Sequence, residues 1–315
     1  MICVQKARAL SRDKIHVPSS WLWSEKFNGQ RAWWDGGVSR GITVVPYRNK
    51  GKRASSAPAT GLWSSNNNPI YAPDWWLDRL PKGVILDGEL WMGRDGFQSV
   101  ESCVRKLVPV DHEWEQIRYM VFDAPTCDEM FVSRIVSTPT CKTRIIRDEV
   151  SAFFGERDAA WIRGIRFAKD GIAAAAAVWE DTVPLQTVGS LDAVEKQAQE
   201  IWEDGGEGVV IRNPMGLWKP ERAKDVIKMK RTLESEGTII GVNSGQGKYT
   251  GMMGSLWIQW NNGWGAVRFS LSGFTDEERT RDWSAMRGTT VRFRYSDLSR
   301  DGVPKEARYM RGGEQ

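Results

Sequence analysis

Short β-rich apolar runs alternate with polar connections through the first two thirds of the chain, and such runs predict strands. Val84 to Trp91, Tyr119 to Phe122 and Gly208 to Arg212 read this way, as does Val226-Ile227-Lys228-Met229-Lys230, whose two lysines fall on one strand face. Leu191, Val194, Ala198, Ile201 and Trp202 instead recur at helical spacing behind Ser190, a favourable N-cap, so a helix is predicted over Leu191 to Glu203. Beyond Arg231 the texture shifts to short strands, Thr238 to Val242, Gly254 to Trp260, Gly265 to Leu271 and Thr289 to Tyr295, parted by glycine-rich turns. About eighty residues with roughly five short strands is the size of a small closed barrel, and the OB-fold is the common one that grips nucleic acid. The pattern predicts an α+β domain over 1–232 and a β-barrel over 233–315, with the boundary near Thr232 to Gly237.

One stretch fits neither part. Gly36 to Asn68 is rich in Gly, Ser, Asn and Pro and carries Arg40, Arg48, Lys50, Lys52 and Arg53. It reads as a long surface loop, either a functional basic element or a solvated insertion.

The length, 315 residues at 41% hydrophobic, suits two modest domains. No apolar run approaches the ~20 residues of a membrane span. The first twenty residues interleave Lys6, Arg8, Arg12, Asp13 and Lys14 with apolar ones, unlike a signal peptide, so a cytoplasmic protein is expected. Cys3, Cys103, Cys127 and Cys141 form no CxxC pair and the only histidines are His16 and His112, which argues against structural zinc. The net charge of +4 suits a polyanionic partner without requiring one.

The chemistry-bearing residues are weak one at a time. Ser24-Glu25-Lys26-Phe27-Asn28-Gly29-Gln30-Arg31 places a lysine before a turn, where lysines are usually solvated. Asp87 and Glu89 share a strand face and repel unless a cation lies beside them. Glu207 opens another strand, and Lys228 and Lys230 share a third. Each alone is read most simply as a half-buried strand with a polar outer face.

In chain order, however, lysine, acidic strand, aromatic strand, acidic strand and lysine strand form the pattern of the covalent nucleotidyltransferases. The whole chain resembles the ATP-dependent DNA ligases, most closely the small bacterial and phage enzymes. The resemblance rests on SEKFNGQRAWWDG from Ser24, NPIYAPDWW from Asn68, LDGELWMG from Leu86, YMVFDAP from Tyr119, the Glu207 and Lys228 motifs, and GQGKYTGMMGSL from Gly245.

That resemblance implies a nucleotidyltransferase domain of antiparallel sheets with flanking helices, then an OB-fold barrel. It implies ATP as adenylate donor, magnesium or manganese as the ion, nicked duplex DNA as partner, and a monomer in a bacterial or phage-infected cell. Lys26 would attack the α-phosphorus to form a lysyl-AMP phosphoramidate. An ordinary lysine is protonated near pH 7, and a cation together with Lys228, Lys230 and Arg31 would favour its neutral form. Ser24, Arg31, Glu89, Phe122, Glu207, Arg222, Lys228 and Lys230 would bind nucleotide, Phe122 by stacking on adenine. Glu89, Glu207 and Asp87 would form the metal set. Asn28, Arg40, Lys50, Lys52, Arg53, Lys248 and Arg268 are the candidate DNA contacts, with Tyr249 beside them.

Three positions depart from the family pattern. Asn28 stands where most DNA-joining relatives carry aspartate. The family's Ser-Arg pair corresponds either to Ser39-Arg40 or to the Ser64-Ser65 register. The C-terminal arginine-rich motif is only partly present in Pro304 to Arg311. RNA ligase or capping-type transfer, or a catalytically impaired nick-binding protein, are the rival readings. NAD is disfavoured as donor because 25 residues precede Lys26.

Overall fold

The computed structural model describes residues 4–10, 15–45, 47–49, 57–80, 82–83, 85–123, 125, 130–131 and 186–311. Lys50, Lys52, Arg53, Cys3, Cys127 and Cys141 lie outside the described residues. The chain divides into two compact units, Met1–Met229 and Lys230–Gln315.

In the first unit the strands are β1 (Lys6–Ala9), β2 (Leu22–Lys26), β3 (Gln30–Asp35), β4 (Leu62–Ser64), β5 (Ile85–Trp91), β6 (Arg118–Asp123), β7 (Gln186–Thr187), β8 (Gly208–Arg212) and β9 (Arg222–Lys230), the last ending at the boundary. The helices are α1 (Asp74–Leu77), α2 (Phe97–Val104), α3 (Asp111–Trp114) and α4 (Leu191–Glu203). One sheet runs β4-β3-β5-β6, the other β1-β9-β8-β2-β7. Pairing is antiparallel between β2 and β8 and throughout the first sheet, whereas β1 joins β9 in parallel.

Strand β5 shows how the pattern sets the site. Leu86 and Leu90 are fully buried on one face, against Ala32, Trp34, Trp76, Trp114 and Tyr119, under the short helices α1–α3. The intervening Asp87 and Glu89 therefore emerge on the opposite face. Helix α4 has the predicted bounds: Ser190 Oγ accepts from the Ala193 N–H at 3.1 Å, and Val194, Ala198 and Ile201 pack on Val209, Ile211 and Ile227 of the second sheet. Burying each Val or Ile there contributes roughly 1.5–3 kcal/mol.

The described part of the Gly36–Asn68 stretch is anchored to the sheet. Leu62–Ser64 pairs with β3, and Val45, Ala59 and Trp63 join Val4 and Trp33 in a separate buried cluster. The buried Asp35 accepts from Tyr47 Oη at 2.5 Å, Trp63 Nε1 at 3.1 Å and Ser39 Oγ, which fastens the described part of the segment to the end of β3. The apolar anchors are too few and too widely spaced to register as a periodic element.

The second unit holds β10 (Leu233–Ser244), β11 (Met253–Asn261), β12 (Ala266–Leu271), α5 (Asp276–Arg279), β13 (Thr290–Tyr295), β14 (Asp297–Leu298), β15 (Pro304–Lys305) and β16 (Arg308–Tyr309). Five strands order as β12-β11-β10-β13-β16. A parallel bridge between Ser272 and Arg308, with the Tyr309 N–H donating to Ser272 O at 2.8 Å, links the two edges and closes the sheet. Ile239, Leu256, Ile258, Leu271 and Phe293 fill the interior.

Strand β10 is longer than its apolar core, Thr238–Val242, suggested. Its first half pairs with β13 from Leu233 opposite Tyr295, and its second half pairs with β11, with irregular register between Ile239 and Gly241. The segment expected to form the boundary, Thr232 to Gly237, thus lies almost wholly inside a strand. No helix among the described residues is long and apolar enough to cross a membrane.

Candidate active site

Lys26 is the last residue of β2 and lies opposite Gly208, the first of β8. Gly208 has φ of 143°, and a Cβ there would stand 2.1 Å from Met229 O, so only glycine lets β8 begin this close to β9. The residue before it, Glu207, accepts on Oε2 from Lys26 Nζ in a tight ion pair. Its carbonyl accepts from Trp202 Nε1 at 3.1 Å, which ties the pair to the end of α4. A carboxylate is thus set directly against Lys26.

After Lys26 the chain turns through Asn28 and Gly29. A Cβ on Gly29 would stand 2.1 Å from Leu90 O, so the absent side chain allows β3 to start hard against β5. The β3–β5 register then puts Arg31 opposite Glu89 and Trp33 opposite Asp87. Arg31 donates from Nε to Asp87 Oδ1 at 2.9 Å and from Nη2 to Oδ2 at 2.5 Å, and from Nη1 to Gln5 O at 2.6 Å. Burial works against the Arg31 charge, and the charge of and hydrogen bonds to Asp87 more than offset it. Burial raises the Asp87 carboxyl above the usual range, with Arg31 opposing.

The half-buried Glu89 is shifted in the same direction. Loss of solvent pushes it up to about 7; Lys26 opposes the shift and Glu207 adds to it. Two carboxylates competing for one lysine, one of them titrating near neutrality, is an arrangement that a divalent cation would relieve.

Phe122 lies on β6 beside this cluster, between Val121, which pairs with Gly88, and Asp123, which pairs with Asp87. The guanidinium carbons of Arg31 and Arg212 each lie 5.2 Å from its ring centroid. Arg212 also approaches buried Asp123 at 3.7 Å, which links β8 of one sheet to β6 of the other. Neither Arg212 nor Asp123 stood out in the sequence, although each borders a motif residue. Glu25, buried beside Lys26, and Arg94, five residues past Glu89, were likewise missed; Glu25 Oε2 accepts from Arg94 Nη2 at 3.1 Å.

Other expected residues are placed more loosely. Ser24 lies on β2 opposite Val210, two residues from Lys26 and hence on the same face. Lys228 lies on β9 opposite Ala9, and Arg222 is exposed at the start of that strand, opposite Lys6. Asn28 is half-buried in the turn.

The remaining candidates have other local partners. Lys230 pairs with Glu306 at 3.3 Å inside the second unit. Arg40 donates to Asp74 and Asp78 at 2.5 Å each, while the neighbouring Ser39 is buried on Asp35 and Ser64 Oγ accepts from the Asn68 N–H at 3.1 Å. Lys248 lies 3.4 Å from Asp276 and 4.5 Å from the Tyr249 ring centroid. Arg268 is exposed on β12 opposite Gln259. Arg311 donates to Glu278 from Nε at 2.8 Å and Nη2 at 3.0 Å.

Of the three carboxylates expected to form a metal set, Asp87 accepts from Arg31 on both oxygens. Among the described residues no group of three or more His, Cys, Asp or Glu side chains is placed to hold an ion. Glu89 and Glu207 remain as the carboxylates facing Lys26.

Residues 244–312 match the family model of the DNA ligase OB-like domain. A DNA ligase of Haemophilus influenzae is 24% identical over 292 residues, which span 92% of this chain and 86% of that protein. A solved Lig E DNA ligase, examined for DNA binding with a minimal scaffold, is 27% identical, superimposes with a TM-score of 0.70 and is covered to 98%, as is this chain. Across both units, from the lysine strand to the closed barrel, the chain is thus similar to the DNA ligases.

Proposed function

We propose that the chain is an ATP-dependent DNA ligase that seals a nick between a 5′-phosphate and a 3′-hydroxyl through a covalent adenylate on Lys26. The observation that carries the reading is the Lys26–Glu207 pair facing Glu89, at the mouth formed by β2, β5 and β8. Residues 1–232 form the nucleotidyltransferase domain and 233–315 the OB domain.

Lys26 Nζ attacks the α-phosphorus of ATP, the bond to the β-phosphate oxygen breaks, and pyrophosphate leaves. Nζ attacks as the neutral amine, since the lone pair is the nucleophile. Glu89 and Glu207 would hold a magnesium or manganese ion, with water and phosphate oxygens completing the sphere. When bound, that ion supplies neutralisation of charge at the phosphates.

Phe122 offers a ring face to adenine, and Ser24 borders the nucleotide. Arg31, fixed by Asp87, presents a preorganised guanidinium beside it. Lys228, Lys230 and Arg222 supply positive charge for the phosphates. AMP then passes to the 5′-phosphate, and the 3′-hydroxyl displaces it as the new phosphodiester forms. Asn28, Arg40, Lys50, Lys52, Arg53, Lys248 and Arg268 contact the DNA backbone on the two sides of the break. The protein acts as a monomer in the cytoplasm.

Incubation with α-labelled ATP and magnesium, followed by denaturing electrophoresis, tests the first step. Label on the wild-type chain and none on Lys26→Ala is expected; equal label on both would refute the mechanism. Sealing of nicked DNA over nicked RNA duplexes is expected next, and preference for RNA would move the chain to the RNA-joining enzymes.

A further inference from the structure

Glu207 enters the site from a glycine turn at the end of α4. Gly205 and Gly206 precede it, Gly205 has φ of 78°, and glycine pairs leave the backbone the widest choice of conformations. The turn is nonetheless fixed at both ends. Its backbone is latched to α4 by the Gly206 N–H donating to Ile201 O at 2.7 Å. From outside, Arg94 donates from Nη1 to Asp204 O at 2.9 Å and also pairs with the Asp204 carboxylate. The same guanidinium reaches the buried Glu25 Oε2 at 3.1 Å.

Glu25 in turn underlies the turn: a Cβ on Gly206 would stand 3.0 Å from Glu25 Oε1 and 2.4 Å from Ile201 Cγ2. Arg94 itself opens the short 3-10 turn Arg94–Gly96 that follows β5, the strand of Glu89. One side chain therefore ties together the connection after Glu89, the residue before Lys26 and the turn that delivers Glu207.

We propose that Arg94 is a positioning residue for lysine adenylylation, fixing Glu207 relative to Lys26 and Glu89 through its joint hold on Glu25 and Asp204. The inference rests on the reading of Lys26 as the adenylated residue. Arg94 touches none of the reacting groups, so it acts through the placement of Glu207. Lysine at position 94 keeps the charge for Glu25 but lacks the planar fork that holds two partners at once.

Single-turnover transfer of labelled AMP to the protein, over a range of ATP and magnesium concentrations, is compared for wild type, Arg94→Ala, Arg94→Lys and Glu25→Gln, alongside amide exchange of residues 200–210 read by mass spectrometry. For Arg94→Ala the saturating rate is expected to fall roughly ten- to a hundredfold, as for loss of a hydrogen-bonded charged contact. The half-saturating ATP concentration should change much less. Exchange of the 200–210 segment should quicken, and Arg94→Lys should recover part of both effects. Should Arg94→Ala fail to fold, Glu25→Gln, which keeps an acceptor and removes a buried charge, is expected to show the faster exchange and a smaller rate loss. A wild-type rate or unchanged exchange in the folded variants, or Arg94→Lys no better than Arg94→Ala, overturns the proposal. If the wild-type chain takes no label, the reading of Lys26 fails, while the exchange data still decide whether Arg94 holds the turn.

Discussion

Arg31 on β3 grips Asp87 on β5 with two nearly parallel hydrogen bonds, Nε to Oδ1 at 2.9 Å and Nη2 to Oδ2 at 2.5 Å, and Asp87 is almost wholly removed from solvent. The fork has consequences for both residues. It fixes the angle at which Arg31 approaches Phe122, and it gives each Asp87 oxygen a cationic partner.

Breaking that fork from one side leaves a partly buried guanidinium without its counter-charge. Asp87→Ala is expected to cost about 3 kcal/mol of stability, read from urea or guanidinium unfolding. Arg31→Lys should not restore wild-type nucleotide affinity, because an ammonium cannot make the paired contact. A cost below about 1 kcal/mol for Asp87→Ala would mean that the pair contributes no more than an exposed one.

The metal-free protein should lose stability as the pH rises from about 4.5 to 7. Glu89 is raised from 4.5 to about 7 in the folded chain, so within that window the folded state binds more protons than the unfolded state. The penalty is absent below the unfolded value and complete above the folded one, reaching at most about 3 kcal/mol. Thermal melts at pH 5 and pH 8 should therefore differ less for Glu89→Gln than for wild type. Magnesium or manganese should stabilise wild type at pH 8 more than at pH 5; equal pH dependence in the two proteins would rule out Glu89 as the source.

Gly208→Ala should be among the more damaging single changes. The added carbon would stand 2.1 Å from Met229 O at a φ of 143°, so β8 must move away from β9 and carry Glu207 with it. A loss of about 3 kcal/mol or more is expected in unfolding experiments, together with weaker labelling of Lys26. An alanine variant with wild-type stability and labelling would show that the close approach is dispensable.

Replacing Phe122 with leucine keeps an apolar side chain but removes the aromatic face. The half-saturating ATP concentration for adenylylation should rise roughly five- to tenfold, with the melting temperature little changed, since stacking on a base is worth about 1–3 kcal/mol. No change in ATP dependence would leave Phe122 as a packing partner of Arg31 and Arg212 alone.

The elements that pattern alone made legible are those whose periodicity is uninterrupted. The helix Leu191–Glu203 and the strand Gly208–Arg212 have the predicted bounds because cap, period and burial agree along them. Strand β10 was legible only in its apolar centre, because Glu234 and Glu236 alternate with partly buried residues in a half that pairs with β13. In the described part of Gly36–Asn68 the anchors were not legible, because Trp63 and the Asp35 carboxylate act as isolated contacts and not as a repeat.

The sequence by itself determined which residue types could do the chemistry and their order: Lys26, the Asp87–Glu89 strand, Phe122, Glu207 and Lys228. It did so because strand alternation forces i and i+2 onto one face and because this succession of motifs resembles one enzyme family. Only the tertiary structure decided which acids face the lysine and which are already engaged. Asp87 and Glu89 share a strand face, yet Arg31 on the neighbouring strand holds the first in a fork, while burial near Lys26 and Glu207 keeps the second poised near neutrality. Those partners lie on other strands, brought into register by Gly29 and Gly208, where the missing side chains let backbones meet. The distinction depends on distance and desolvation between segments far apart in the chain, which no local pattern encodes.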